Sequence, residues 1–169
     1  MQAKHSAVTR IFGHLEKKMN NQENIRIVEK WFKACWTKEG YSPDTLRELA
    51  AENIVFRYPL QGEKHGIENV IETLETLRAS FPDLHFDVEG EIISDGKYVV
   101  GKWIGGGTHI GTAFCDNPFG ITIPAVSGRK MRYAGTTIFV VENGKIHSEI
   151  GQEEALEAAL QIGLVMPSK

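Results

Sequence analysis

Apolar positions along the chain repeat first with a helical period and later with a period of two. Ile25, Val28, Phe32 and Cys35 form one stripe, and Asn20 with Glu23 three residues on makes a capping box, which predicts an amphipathic helix over 20–38. Ser42-Pro43-Asp44 supplies an N-cap, a proline at the first helical position and an early acid, which predicts a short helix over 45–51. Residues 53–58 read as a strand stopped by Pro59. After Gly66, the positions Ile67, Val70, Ile71, Leu74, Leu77 and Phe81 keep one face of a third helix, which Pro82 ends. From Leu84 the period changes, as Leu84, Phe86 and Val88 alternate with His85, Asp87 and Glu89, the pattern of a half-buried strand. Turns at Asp95-Gly96 and Asn143-Gly144 join long antiparallel strands, the first leading into 97–104 and the second linking 130–141 to 145–150. A last helix over 153–164 places Leu156, Ala159, Leu160 and Gly163 on one face, with Glu153 and Glu154 in the first turn where the helix dipole favours acids. Helices followed by a meander of strands predict an α+β fold.

Residues 1–22 fit this scheme least well. Ile11, Phe12, Leu15 and Met19 make only a thin stripe, so the segment reads as an N-terminal extension or an extra helix ahead of a domain over 23–164, with a tail at 165–169. Hydrophobic residues at 41%, charged residues at 24% and a net charge of -3 describe a globular chain and exclude a disordered or membrane-spanning one. The same balance lacks the basic footprint that a nucleic acid requires. Cys35 and Cys115 form no Cys-x-x-Cys pair and no metal-ligand spacing joins them, so no metal and no cofactor are expected. Charged residues interrupt the N-terminus too often for a signal peptide, which points to the cytoplasm.

Four stretches in order resemble the SnoaL-like polyketide cyclase, or ester cyclase, family of the nuclear transport factor two-like superfamily. They are Ser80-Phe81-Pro82-Asp83-Leu84-His85-Phe86, Gly107-Thr108-His109-Ile110-Gly111, Ser127-Gly128-Arg129-Lys130-Met131, and the run from Asn143-Gly144-Lys145-Ile146 to Leu160-Gln161-Ile162-Gly163. The resemblance implies a cone-shaped α+β barrel, a bent antiparallel sheet packed on three to four helices around a deep pocket for a small apolar molecule. It also implies pairing of two subunits through the outer face of the sheet. In that family an aspartate serves as acid and base for ring closure, with a histidine on the preceding strand. The matching columns here hold Gly151 and Thr137, so both catalytic side chains are missing.

A proton abstraction beside a carbonyl needs a positioned base, and glycine supplies none. Alternation along the 145–151 strand puts His147 and Glu149 on the face of the Gly151 column, which makes Glu149 the replacement acid, with a pKa raised by an apolar pocket unless Arg57, Arg129 or Arg132 reaches it. His109 either points into the cavity or holds the backbone by a hydrogen bond; His85 faces away from the core. Trp31, Phe56, Tyr58, Trp103, Phe114 and Tyr133 supply the wall, with Thr137 and Phe139 on the neighbouring strand. Gly105-Gly106-Gly107 reads as a bulge or bend, and the apolar 114–127 segment as a lid or a dimer contact. Two functions follow: cofactor-free cyclase, isomerase or dehydratase chemistry on a carbonyl-containing ligand through Glu149 and His109, or a noncatalytic binding or dimerisation module. Strands apolar on both faces, such as Tyr98-Val99-Val100 and Ile138-Phe139-Val140, predict a homodimer.

Overall fold

The computed structural model describes the backbone of residues 2–166 and the side chains of residues 16–166. Its elements run α1 (Gln2–Trp36), α2 (Pro43–Leu49), β1 (Ala50–Tyr58), β2 (Gly62–His65), α3 (Ile67–Ser80), β3 (His85–Asp95), β4 (Tyr98–Thr108), β5 (Lys130–Glu142), β6 (Lys145–Glu153) and α4 (Ala155–Ile162). The strands form one curved six-stranded sheet in the order β2-β1-β6-β5-β4-β3, an α+β architecture. The sheet is mixed rather than wholly antiparallel, because β1 lies parallel to β6, with Phe56 opposite Glu149 and Arg57 opposite Ile150. Tight turns join the antiparallel pairs β1–β2, β3–β4 and β5–β6, the 109–129 loop joins β4 to β5, and β1 pairs with β6, the strand furthest from it in sequence. α1 crosses β3, β4 and β6, and α3 backs β1 and β2. Between helices and sheet lies a single core that includes Val28, Trp31, Phe56, Leu74, Val99 and Phe139. No described helix is long and apolar enough to cross a membrane.

The largest departure from the sequence pattern is at the N-terminus. Asn20 does not cap a helix; residues 2–22 and the stretch that follows form one continuous helix. The asparagines act elsewhere: Asn21 donates to Ser94 O and accepts from Gly96 N, both at 3.0 Å, and Asn24 donates to Gly96 O at 2.9 Å, so they clamp the β3–β4 turn. Tertiary hydrogen bonds thereby override the local capping preference. Met19 is exposed; Ile11, Phe12 and Leu15 lie outside the described side chains, as residues 167–169 of the predicted tail lie outside the described residues. At the other end of α1, Arg78 Nη2 donates to Cys35 O at 2.6 Å and Thr37 O at 3.2 Å, a cation on the carbonyl end of the helix.

Smaller differences have local causes. The second helix spans Pro43–Leu49, capped by Ser42 Oγ, and β1 begins at once. Burial alternation in β3 fails after Phe86, as Val88 is exposed although it pairs in register with Trp103; further on, Gly90 takes a positive φ of 79° and the register shifts between Glu89 and Ile93. β4 runs on through the glycine triplet in unbroken register with β5. The triplet is therefore not a bulge. A Cβ on Gly105 would stand 2.5 Å from Phe86 Cα, so glycine permits close approach of β3. α4 starts at Ala155, later than the pattern suggests, and buries Ala158, Ala159 and Ile162, while Leu156 is 64% exposed.

Candidate active site

Glu149 sits at the centre of the cone and is fully buried. Trp31 Nε1 donates to its Oε2 at 2.6 Å, and Trp36 Nε1 and Tyr58 OH donate to its Oε1 at 2.8 and 2.6 Å. Trp103 Nε1 donates to Thr137 Oγ1 at 2.8 Å, and Thr137 lies 2.8 Å from Tyr58 OH. Indole nitrogens can only donate, so the hydrogen bonds run one way, from Trp103 through Thr137 and Tyr58 to the carboxylate. Burial pushes the Glu149 carboxyl above the ordinary glutamate range, against the opposing pull of the hydrogen bonds from Tyr58, Trp36 and Trp31. Among the described residues no cation pairs with it. Arg57 pairs with Glu63 at 3.6 Å, Arg129 donates to Ile162 O, and the Arg132 backbone engages Gln161.

Thr137 and Gly151, the positions that the sequence resemblance sets against a catalytic histidine and aspartate, face each other across β5 and β6. The lost carboxylate has left no vacancy. The Tyr58 ring lies directly on Gly151, whose Cβ would overlap Cε1 and Cδ1 and stand 2.8 Å from Cζ. Gly135 in the same way receives the Trp103 ring, with Cη2 2.6 Å from a would-be Cβ. Stacked, edge and tilted contacts join Trp36, Phe56, Tyr58, Phe86, Trp103 and Tyr133 into one aromatic box with centroids 5.0–6.1 Å apart. The deep pocket that the resemblance implies is closed: the space left between Phe32, Trp36, Phe86 and Trp103 is about 10 Å³, the room of roughly one water molecule.

The remaining sequence candidates divide. Phe139 pairs opposite Glu149 and is buried with it. His147 does not share that face, because it is the extra residue of a bulge: Val141 pairs with Ile146 and Val140 with Ser148, so Ile146 and Glu149 both point inward and His147 is half-buried. His109 is fully buried, yet both ring nitrogens are engaged, Nε2 with Thr112 O at 2.7 Å and Nδ1 with Ser127 Oγ at 2.8 Å. A carbonyl accepts only, so Nε2 carries the proton and the ring holds the β4–β5 loop. Phe114 bridges Ile123 in that loop and packs on Phe81 at 5.4 Å. His85 engages Lys38 N and Asp87 at the surface.

Sequence reasoning missed the other end of the interior. Glu153 and Glu154 do not serve α4: Glu153 Oε1 accepts from Leu60 N at 2.7 Å and Glu154 Oε2 from Ala134 N at 2.9 Å, and no side-chain bond caps the helix. β6 runs to Glu153, so Glu149, Gly151 and Glu153 alternate onto one face. Burial pushes Glu153 up to about 7, opposed only by the Leu60 N–H. Tyr133, beside it, is driven well above the ordinary tyrosine range by burial and by the Glu153 charge. Gln61 is 93% buried, and its Oε1 has no hydrogen-bond partner. Carrying the alternation two residues past Gly151 would have found Glu153; nothing in the sequence marks Gln61. Among the described residues, no three His, Cys, Asp or Glu side chains gather to hold a metal ion.

The solved structures similar to this one share its fold. A candidate SnoaL-like polyketide cyclase from Jannaschia sp. CCS1 superposes with a TM-score of 0.71 at 20% identity, covering 87% of this chain and 96% of that one. AclR, a candidate hydroxylase from Streptomyces galilaeus, gives 0.67 at 15% identity over 88% and 86%. IdmH, a candidate polyketide cyclase from Streptomyces antibioticus, gives 0.62 at 20% identity over 81% and 98%. Among proteins of curated function, none matches this sequence. Residues 26–162 match the family description SnoaL-like polyketide cyclase, most of the chain, and the protein belongs to that family.

Proposed function

We propose that the protein is a cofactor-free acid–base catalyst, an isomerase or lyase in the broad sense, acting on a small and mostly apolar carbonyl compound held inside the cone. The observation that carries this reading is the inner face of β6. It bears two acids, Glu149 and Glu153, on either side of Gly151, both raised above the ordinary glutamate range by burial, with no cation paired to either among the described residues. A buried acid without a counter-ion costs stability, and carboxyls tuned toward neutrality are what proton transfer beside a carbonyl needs. Ligand entry requires the aromatic wall to move, so the tryptophans report it. Titration of intrinsic fluorescence with 1-indanone, 2-tetralone and anthrone should give saturable quenching. No response to any of them, together with no proton exchange on them, would rule the reading out.

A noncatalytic module is the second reading, favoured by one observation: the Tyr58 ring fills the aspartate's place. For either reading we propose a homodimer. Ile93, Val100, Ile138 and Ile150 align across β3, β4, β5 and β6 on the face opposite the helices, with Ile93 and Ile138 67% and 48% exposed. An aliphatic row of that extent marks an interface, and a two-fold pair is its commonest closed solution. The free thiols Cys35 and Cys115 suit a reducing compartment such as the cytoplasm.

A further inference from the structure

Within the acid–base reading above, on which this inference rests, the two acids are not equivalent. Glu149 accepts three hydrogen bonds and is sealed from solvent. A general base needs a free lone pair within reach of the carbon it deprotonates. Trp31, Trp36 and Tyr58 take three of the four lone-pair sites of Glu149, and burial shuts the fourth, on Oε2, away from solvent. Glu153 accepts only from Leu60 N, through Oε1, and is partly exposed, which leaves Oε2 without a protein partner.

The surroundings of Glu153 carry a second sign of a ligand. The turn after β1 folds Leu60 and Gln61 inward over the end of β6, so that both are buried. Leu60 N is used on Glu153, while Gln61 Oε1 is buried without a donor, a condition that costs about 1–3 kcal/mol unless something supplies one. The Gln61 side chain reaches the Tyr133 hydroxyl, which burial and the nearby Glu153 charge keep protonated. The cluster thus offers a carboxylate, an unfilled acceptor and a neutral O–H.

We propose that Glu153, Gln61 and Tyr133 form the proton-exchanging end of the interior site, and that the ligand is a β-hydroxy ketone. Its hydroxyl donates to Gln61 Oε1, its carbonyl oxygen accepts from Tyr133, and the carbon between the two faces Glu153. Glu153 takes a proton from that carbon, the C–H electron pair becomes the C=C of the enolate, and the negative charge falls on the oxygen that Tyr133 meets. Return of the proton from Glu153 regenerates the ketone, and nothing else is consumed. Glu149 is then a positioning residue, which holds Tyr58 and the two tryptophans.

The test uses 3-hydroxy-1-indanone and 1-indanone in deuterium oxide, with exchange at the carbon beside the carbonyl followed by proton NMR. Wild type should exchange the hydroxy ketone at a rate that rises with pH and levels off above about 7, the value to which Glu153 is pushed. Glu153→Gln keeps an acceptor for Leu60 N and so should fold, yet lower the rate about 100-fold or more. Gln61→Leu should raise KM for 3-hydroxy-1-indanone about tenfold more than it raises that for 1-indanone. Exchange that survives Glu153→Gln but is lost in Glu149→Gln would overturn this assignment while leaving the proposed function standing. Equal effects of Gln61→Leu on both ketones would overturn the hydroxyl contact. A wild type inert toward both ketones would remove the proposed function and this inference with it.

Discussion

Replacing Gly151 with alanine adds one methyl group at the position that the sequence resemblance sets against the family's catalytic aspartate. The backbone does not resist: Gly151 is not among the positive-φ glycines, and alanine on a permitted backbone gains about 0.5 kcal/mol from a less flexible unfolded chain. The obstacle is the Tyr58 ring, whose Cε1 and Cδ1 occupy the Cβ position and whose Cζ would be 2.8 Å away. Tyr58 cannot withdraw freely, since its hydroxyl is bonded to Glu149 at 2.6 Å and lies 2.8 Å from Thr137. Overpacking alone costs about 1–3 kcal/mol. Loss of the hydrogen bond to a carboxylate adds about 1.5–3 kcal/mol if the ring swings away. A net destabilisation near 3 kcal/mol is expected, which for a domain of this size lowers Tm by about 6–12 °C. Urea titrations of wild type, Gly151→Ala, Tyr58→Ala and the double variant give the pairwise energy. Removing the ring should relieve the clash, so the double variant should be at least about 1 kcal/mol more stable than the two single losses imply. Strict additivity, or a Gly151→Ala protein within about 0.5 kcal/mol of wild type, would refute the view that Tyr58 has taken the aspartate's place. The same geometry predicts that Gly151→Asp with Thr137→His restores the family's side chains only when Tyr58 is also truncated.

Three further outcomes follow from the site and its frame. Glu153 titrates near 7 in the folded protein against about 4.5 when solvated, so its contribution is fully present below about 4.5 and is lost as pH rises through 7. The stability of Glu153→Gln relative to wild type should therefore improve by about 3 kcal/mol between pH 4.5 and 8 in matched urea melts, and a pH-independent difference would contradict the burial argument. Ile138→Glu, in the middle of the outer aliphatic row, should convert a dimer into an 18.9 kDa monomer by light scattering at micromolar concentration; a wild type already monomeric would remove the dimer proposal. His109→Ala deletes two partly buried hydrogen bonds of a buried ring and should cost about 2–4 kcal/mol and expose the β4–β5 loop to limited proteolysis, whereas loss of activity with unchanged stability would return His109 to the chemistry.

How much of this was legible in the sequence depends on the range of the interaction that decides each feature. The turns at Asp95-Gly96 and Asn143-Gly144, the proline stop of α3 and the period-two strands are local, and the α+β class follows from them. Asn20 misleads because its neighbours Asn21 and Asn24 bond to a turn more than seventy positions away. Alternation read from Lys145 assigns His147 to the wrong face, since a single bulge shifts every later side chain and only the partner strand shows where it falls. Glu149 was nonetheless found, because the family column at Gly151 fixes parity from the far end of the strand, beyond the bulge. The closed interior was not legible. Missing Asp and His side chains predict a larger hole, but Gly135 and Gly151 are the small residues on which Trp103 and Tyr58 lie, so loss of the acid and inward packing of a ring are one structural change. That change moves the likeness of an active site along β6: the carboxyl under Tyr58 becomes a fixed anchor, and the next residue of the same parity that bears a carboxyl, Glu153, lies where an acceptor is still unfilled and solvent still reaches.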